Sequence, residues 1–286
     1  MPTVDPGRYV EEFVQWMSHR FSAVFDSIAH ALTFLVNGVD SLLGALPPVL
    51  AIALLTAPAL VLRRWALAAF TAAALGLIVA MQLWAATVET LALVLVSSVM
   101  AVFLGLPLGI WCALSRSASV GLRPVLDFMQ TLPAYVYLIP AVFFFGVGLV
   151  PAVVATAIFA IPPMVRMTEL GIRQVDAEMV EAANAFGAHP WRILREVQLP
   201  LAMPSIMAGV NQVIMLSLSM VVLAGLVGAA GLGSMIVSAV TQLDVAAGFN
   251  SGLAVVILAI VLDRVTAAMG QRRPRRRPRA VPAAKD

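Results

Sequence analysis

The stretch Glu181-Ala182-Ala183-Asn184-Ala185-Phe186-Gly187, separated by nine residues from Val197-Gln198-Leu199-Pro200, is a polar helical island between very hydrophobic segments. Its residues read as two short helices. Asp176 suits an N-cap, because its carboxylate can accept from the free amides of a first turn. Glu178 and Glu181 fit the positive end of that helix. Val180, Ala183 and Phe186 recur at spacing three and give one apolar edge. Ala182, Ala183 and Ala185 keep the helix thin, so a partner can approach closely. Gly187 can take positive φ and end the helix. Pro190 can open a second helix at its first position. That helix is expected to show Trp191, Leu194 and Val197 to one side, before Leu199-Pro200 turns the chain back. The segment over 169–203 is therefore a stiff lever rather than a floppy loop.

The flanking composition explains why a polar island stands out. Hydrophobic residues make up 61% of the chain and charged residues 12%, with a mean hydropathy of +0.97. Soluble domains hold about 45–50% and 25%. A soluble core of 286 residues could not bury that much apolar surface. Apolar runs long enough to cross a bilayer, about 20 residues each, fall near 45–62, 65–83, 89–114, 124–147, 150–168, 204–227 and 247–266. Pro133 and Pro140 interrupt the fourth and are expected to kink it.

Residues 1–40 differ. Arg8, Glu11, Glu12, Arg20, Asp26 and Asp40 alternate with Val10, Phe13, Val14, Met17, Phe21, Val24, Phe25 and Ile28. Apolar spacings of three and four give an amphipathic helix, expected to lie in the interface rather than span. No basic start precedes a short apolar run, so the segment does not read as a cleaved signal peptide.

Arginine and lysine set the expected orientation, since short loops kept in the cytoplasm are enriched in both. With the N-terminus outside, the inner side holds Arg63, Arg64, Arg116, Arg123, Arg166, Arg173, Arg192, Arg195, Arg264 and the tail from Arg272 to Lys285. That is 16 of the 18 basic residues. Only Arg8 and Arg20 stay outside. This N-out, C-in arrangement also puts 169–203 in the cytoplasm.

The quoted stretch has the pattern EAA-x3-G-x9-V-x-L-P. It resembles the cytoplasmic coupling loop of the permeases of ABC importers, with valine where isoleucine is usual. Further phrases resemble the quaternary-ammonium branch of that family, which handles glycine betaine, proline betaine and choline. They are Gln130-Thr131-Leu132-Pro133-Ala134-Tyr135-Val136-Tyr137-Leu138-Ile139-Pro140, Gly171-Ile172-Arg173-Gln174-Val175, Met207-Ala208-Gly209-Val210-Asn211-Gln212 and Ile257-Leu258-Ala259-Ile260-Val261-Leu262-Asp263-Arg264. The resemblance covers residues 89 to 270.

Hydropathy alone gives an all-α integral membrane protein of about seven transmembrane helices, and the resemblance implies that five of them, beginning near Glu89, form the core of a type I ABC importer permease. Residues 1–42 would be an amphipathic external segment and 43–88 two extra transmembrane helices. Residues 89–268 would be the core with its coupling loop, and 269–286 a basic cytoplasmic tail. The implied setting is the bacterial inner membrane, multi-pass. The implied partners are a second copy of the permease, an ABC ATPase subunit that uses ATP and Mg, and an external substrate-binding protein. Glu181, Ala182, Ala183, Gly187, Val197, Leu199 and Pro200 would then couple to the ATPase.

A trimethylammonium group cannot donate a hydrogen bond and is held by aromatic faces. Tyr135, eleven residues past Pro124, falls about 16 Å along a continuous helix, near mid-membrane. Tyr137 is a further candidate for the pathway, as are the uncharged Gln130, Asn211 and Gln212, which either line a passage or bond between helices. The glycines from Gly225 to Gly233 could cradle an anion at a helix start, but fit a tight turn and close packing near an outer gate better.

Absences exclude other classes. There is no G-x4-G-K-[ST] phosphate loop, so the chain is expected to be no enzyme and to bind no cofactor itself. His19, His30 and His189 are scattered and suggest no metal site. Cys112 is single, sits in an apolar run and reads as a small packed residue. Carboxylates near mid-membrane, the mark of proton relays, are almost missing. A stand-alone secondary transporter is thus disfavoured beside an ABC permease, while a permease of an ABC importer for another small solute, such as an amino acid, stays as the alternative. The basic run Arg272 to Arg279 fixes the C-terminus inside or holds anionic lipid. Nucleic-acid binding does not fit an embedded chain.

Overall fold

Backbone amides inside a bilayer must find partners within their own segment, so an apolar run of this kind is helical. The computed structural model describes residues 6–61 and 63–270, and every regular element among them is a helix. The expected basic run at 272–279 lies outside the described residues. Among the described residues five helices are long and apolar enough to cross a membrane, or six if one bent pair is a single span.

The expected amphipathic segment is two helices, α1 (Pro6–Arg20) and α2 (Ser22–Gly44). In place of the expected spans 45–62 and 65–83 stand α3 (Pro48–Val61) and α4 (Trp65–Ala80), of 14 and 16 residues. They measure about 21 and 24 Å, short of a hydrocarbon layer of about 30 Å. Arg63 at φ +56 and Gln82 at φ +61 turn the chain at either end of α4 and cut both helices off.

α5 (Trp84–Leu114) covers the expected 89–114 and begins a turn earlier. The expected helix 124–147 is broken instead. α6 (Arg116–Thr131), a 3-10 turn at Ala134–Tyr137 and α7 (Leu138–Phe145) replace it, with a bend of 107°. Pro133 is the cause. Its ring pushes the preceding residue out of the helical region, and Leu132 lies at ψ 133. Next come α8 (Leu149–Arg173), α9 (Ala177–Ala185) and the single turn α10 (Pro190–Ile193). A π turn at Leu194–Gln198 leads into α11 (Leu199–Ser219) and α12 (Val221–Leu226). α13 (Leu232–Gln242) and α14 (Val245–Gly270) complete the bundle.

Glycines set the closest helix pair. A Cβ at Gly105 would lie 2.8 Å from Met164 Cβ, and one at Gly109 would lie 2.5 Å from Thr168 Cβ. Equal steps of four on both helices mean that α5 and α8 run parallel and start at the same end. At that end Leu232 N–H donates to Thr90 Oγ1 at 2.8 Å, and Gly148 N–H to the Val227 carbonyl at 2.7 Å. The glycine-rich stretch fits its packing role. Gly231 lies against Thr90 at φ +109, and a Cβ on Gly233 would sit 2.0 Å from the Val221 carbonyl oxygen.

α2 qualifies as a span by length and composition, yet its contacts lay it across the bundle. Phe25 stacks on Phe144, with ring centroids 4.6 Å apart, just before α8 starts. Asp40 and Gly44 flank Trp84 and Glu89 where α5 starts. Both ends of α2 therefore meet the same end of the core, while Leu32 and Val36 between them join the cluster of Leu91, Val94, Val150 and Val153. The α3–α4 hairpin packs on α14, Leu75 and Ile78 sharing a cluster with Ile257, Val261 and Val265. Cys112 is buried beside Leu126 and Val165, as a small packed residue should be.

Candidate functional site

The polar island folds by its own capping chemistry. The Asp176 carboxylate accepts the Glu178 N–H at 3.0 Å and opens α9. Two bonds close it: Ala188 N–H to the Ala183 carbonyl at 3.1 Å, and Gly187 N–H to the Asn184 carbonyl at 2.9 Å. This Schellman pair requires the left-handed conformation at the next residue out, and Gly187 adopts it at φ +75. Pro190 then opens α10, capped by His189, whose Nδ1 accepts the Trp191 N–H at 3.3 Å. The histidine cap has no counterpart in the sequence reading.

Glu181, Ala182 and Gly187 are exposed and Ala183 is half-buried. Phe186 is 92% exposed and Trp191 64%. Two large aromatic side chains thus stand out from a helix pair anchored beneath by Leu194, which packs with Ile172, Ala202 and Ile206. Glu196 pairs with Arg192 at 3.0 Å on the exposed side.

Two expectations fail here. Trp191, Leu194 and Val197 do not share a face: Trp191 is exposed, Leu194 buried and Val197 half-buried. Nor does Leu199-Pro200 turn the chain back, because Pro190–Leu226 forms one long helical segment. The π turn accounts for the offset of Val197 from Leu194 and for the unbroken run through Pro200. Leu199 N–H reaches back five residues to the Leu194 carbonyl, which shifts the faces and relieves the clash of Pro200 with the preceding turn.

The aromatic and amide candidates separate. Gln130, Tyr135 and Gln212 are exposed, Tyr135 by 55%. Tyr135 lies past the 107° bend, not 16 Å along a straight helix. Tyr137 is half-buried, its hydroxyl donating to the Met129 carbonyl and its ring set edge-on to Phe159 at 5.8 Å. Asn211 bonds between helices. Its Nδ2 donates to Asp263 at 2.7 Å, and its Oδ1 accepts from Thr266 at 2.6 Å, tying α11 to α14.

A charged cluster where α8 leaves the bundle was missed. Glu169 is buried, accepts from Ser119 and Arg123 and forms an ion pair with Arg173, while Asp127 pairs with Arg166. The spacing Glu169-x3-Arg173 at a helix end was its signal, since residues four apart face each other. Among the described residues no group of His, Cys, Asp and Glu could hold a metal ion.

Comparison with known proteins joins these features. Residues 105–275 match the family described as the binding-protein-dependent transport system inner membrane component. The chain is 46% identical over 266 residues to the glycine betaine transport system permease protein OpuAB of Bacillus subtilis, covering 93% of this chain and 94% of that one. It is also 46% identical over 276 residues to the glycine betaine/carnitine transport permease protein GbuB of Listeria monocytogenes, at 95% and 98% coverage. In fold it is similar to a chain of the inward facing MetNI methionine ABC transporter, with a TM-score of 0.57 over 64% of this chain and 91% of that one, at 24% identity. The chain therefore belongs to the family of binding-protein-dependent transport permeases, multi-pass components of the inner membrane.

Proposed function

We propose that this chain is the permease subunit of an ATP-driven importer of quaternary ammonium compounds: glycine betaine, proline betaine or choline. The observation that carries the reading is 46% identity over nearly the whole length to permeases named for glycine betaine. The likeness to the methionine transporter is in fold alone and brings no substrate with it.

In this reading Glu181, Ala182, Ala183 and Gly187 form the surface that an ABC ATPase meets, with Phe186 and Trp191 projecting from it. Val197, Leu199 and Pro200 carry the movement into α11 through the π turn. ATP and Mg bind the ATPase, not this chain. A second copy of the permease completes the pathway, and a binding protein delivers substrate at the outer end, where α2 lies. The orientation is N-out, C-in, supported by the distribution of basic residues. Gln130, Tyr135 and Gln212 contact the substrate. Tyr137 shapes the pathway from behind, and Asn211 holds two of its walls together. The exposed Tyr135 ring suits a weakly hydrated cation that needs an aromatic face rather than an acceptor.

The test is uptake in cells expressing the full system. Labelled choline, glycine betaine and proline betaine are compared with histidine and methionine, for the wild type and Tyr135→Ala at equal expression. A quaternary ammonium compound should be preferred, and Tyr135→Ala should reduce its uptake. Preference for either amino acid would refute the substrate class.

A further inference from the structure

Movement of the coupling loop enters the membrane bundle first through the last turn of α8, which ends at Arg173, three residues before the Asp176 cap of α9. In that turn Glu169, only 7% exposed, gathers three donors. Ser119 Oγ donates to its Oε1 at 2.7 Å, Arg173 Nε lies 3.1 Å away and an Arg123 terminal nitrogen 3.4 Å away. Arg173 in turn donates to the Cys112 carbonyl in the last turn of α5, at 2.8 Å. One carboxylate and one guanidinium thus tie together the ends of α5, α6 and α8. About one turn further into the bundle, Arg166 of α8 pairs with Asp127 of α6. These side chains line a cleft of about 310 Å³ with Leu126, Met167 and Leu170 between them.

Three guanidiniums face two carboxylates in the cleft, and each lies within ion-pair distance of one of them. What this arrangement provides is register. Apolar helix contacts can slide by a rotamer change, whereas charge-assisted hydrogen bonds are short and directional. A buried carboxylate that loses one donor is costly to leave unpaired. While the junction is intact, α6 must follow α8. The far end of α6 is the Leu132–Pro133 bend, with Gln130 just before it and Tyr135 just after. A displacement of α8 then reaches the exposed pathway candidates as a rotation of α6 about that bend.

We propose that Glu169 is a positioning residue of the transport cycle: the joint through which coupling-loop movement is passed to α6. The inference rests on the importer reading above, because it needs an ATPase at the loop. It adds a residue in the last turn of α8, ahead of the exposed helices α9 and α10 that meet the ATPase, whose removal uncouples the two processes instead of preventing assembly.

The experiment uses the complete complex, permease with its ATPase and binding protein, in liposomes. Glu169→Gln keeps the shape and removes the charge. Arg123→Gln is the companion, because the Arg123 side chain is 62% exposed and its loss cannot empty the core. Three quantities are measured: ATPase co-purified per permease, ATP hydrolysed, and substrate imported. Glu169→Gln should co-purify a normal amount of ATPase and raise the ATP used per substrate at least about fivefold, the lower bound of typical coupling between sites. Arg123→Gln should move the ratio the same way by a smaller factor. If ATP use and uptake fall together at an unchanged ratio, or neither variant differs from wild type, the joint is only a staple and the proposal is overturned. If Glu169→Gln fails to assemble, Arg123→Gln decides by the same ratio. Wild-type permease that engages no ATPase would instead overturn the importer reading beneath it.

Discussion

Gly187 is the residue on which the exposed loop between α8 and α11, the proposed coupling loop, turns. Nothing lies within 4 Å of where its Cβ would be, so a substitution there meets backbone strain and no clash. An L-residue held at φ +75 costs about 1–2 kcal/mol, and β-branched residues fare worst there. Gly187→Val should therefore insert in the membrane at wild-type levels but lose its helix stop, with uptake and ATPase co-purification down roughly tenfold, about the effect of 1.4 kcal/mol. Gly187→Asn, which tolerates positive φ, should keep most of both. Normal transport by Gly187→Val would show that this loop is not the lever. The caps at Asp176, Gly187 and Pro190 were legible in the sequence because each acts on its own backbone within a few residues. The face of Val197 relative to Leu194 was not, because the π turn between them is a matter of hydrogen-bond register that no residue type announces.

Between elements, the informative interaction is the clamp of Asn211 with Asp263 and Thr266. Asn211 could be read from sequence only as polar in an apolar helix, and which helix it faced depended on packing. Asn211→Leu would take from the Asp263 carboxylate a donor 2.7 Å away. Hydrogen bonds to charged groups contribute about 1.5–3 kcal/mol, so the detergent-solubilised protein should melt several degrees lower. Thr266 keeps the Leu262 carbonyl as a partner at 2.6 Å, so its hydroxyl does not add to the loss. Asn211→Leu combined with Asp263→Leu should recover part of the stability, since removing both partners leaves no unpaired charge. A double variant as unstable as the sum of the single ones would show the two act separately. Helices such as α5, α8 and α14 were readable from apolar length alone. The α6–α7 break was marked by Pro133, but the 107° bend was not. A composition like that of α2 suits a span or a surface helix equally, and only its contacts at both ends distinguish them.

For the molecule as a whole, the structure fixes which parts share an end, and the basic residues suggest which end is inside. Leu232, at the start of α13, bonds to Thr90 near the start of α5, whereas α9 follows the end of the parallel helix α8. α13 begins, therefore, at the end of the core opposite the coupling loop. Charge then orients the pair. In the N-out arrangement the 14 basic residues from Arg116 onward fall inside, wherever the short α3–α4 hairpin puts Arg63 and Arg64, and inverting it would place those 14 outside, against the inward bias of arginine and lysine. The single buried cysteine makes the test simple, because Cys112→Ser gives a background free of thiols. Phe186 is 92% exposed on the coupling loop, and Val245, at the start of α14 just past α13, is 83% exposed. In that background Val245→Cys should react with a membrane-impermeant maleimide in intact spheroplasts. Phe186→Cys, expressed without the ATPase that would cover it, should react only after the membrane is opened. The opposite pattern would invert the topology and carry the coupling loop out of reach of any cytoplasmic ATPase. Labelling of both sites from one side would instead mean that the shared ends inferred from the Leu232–Thr90 bond are wrong.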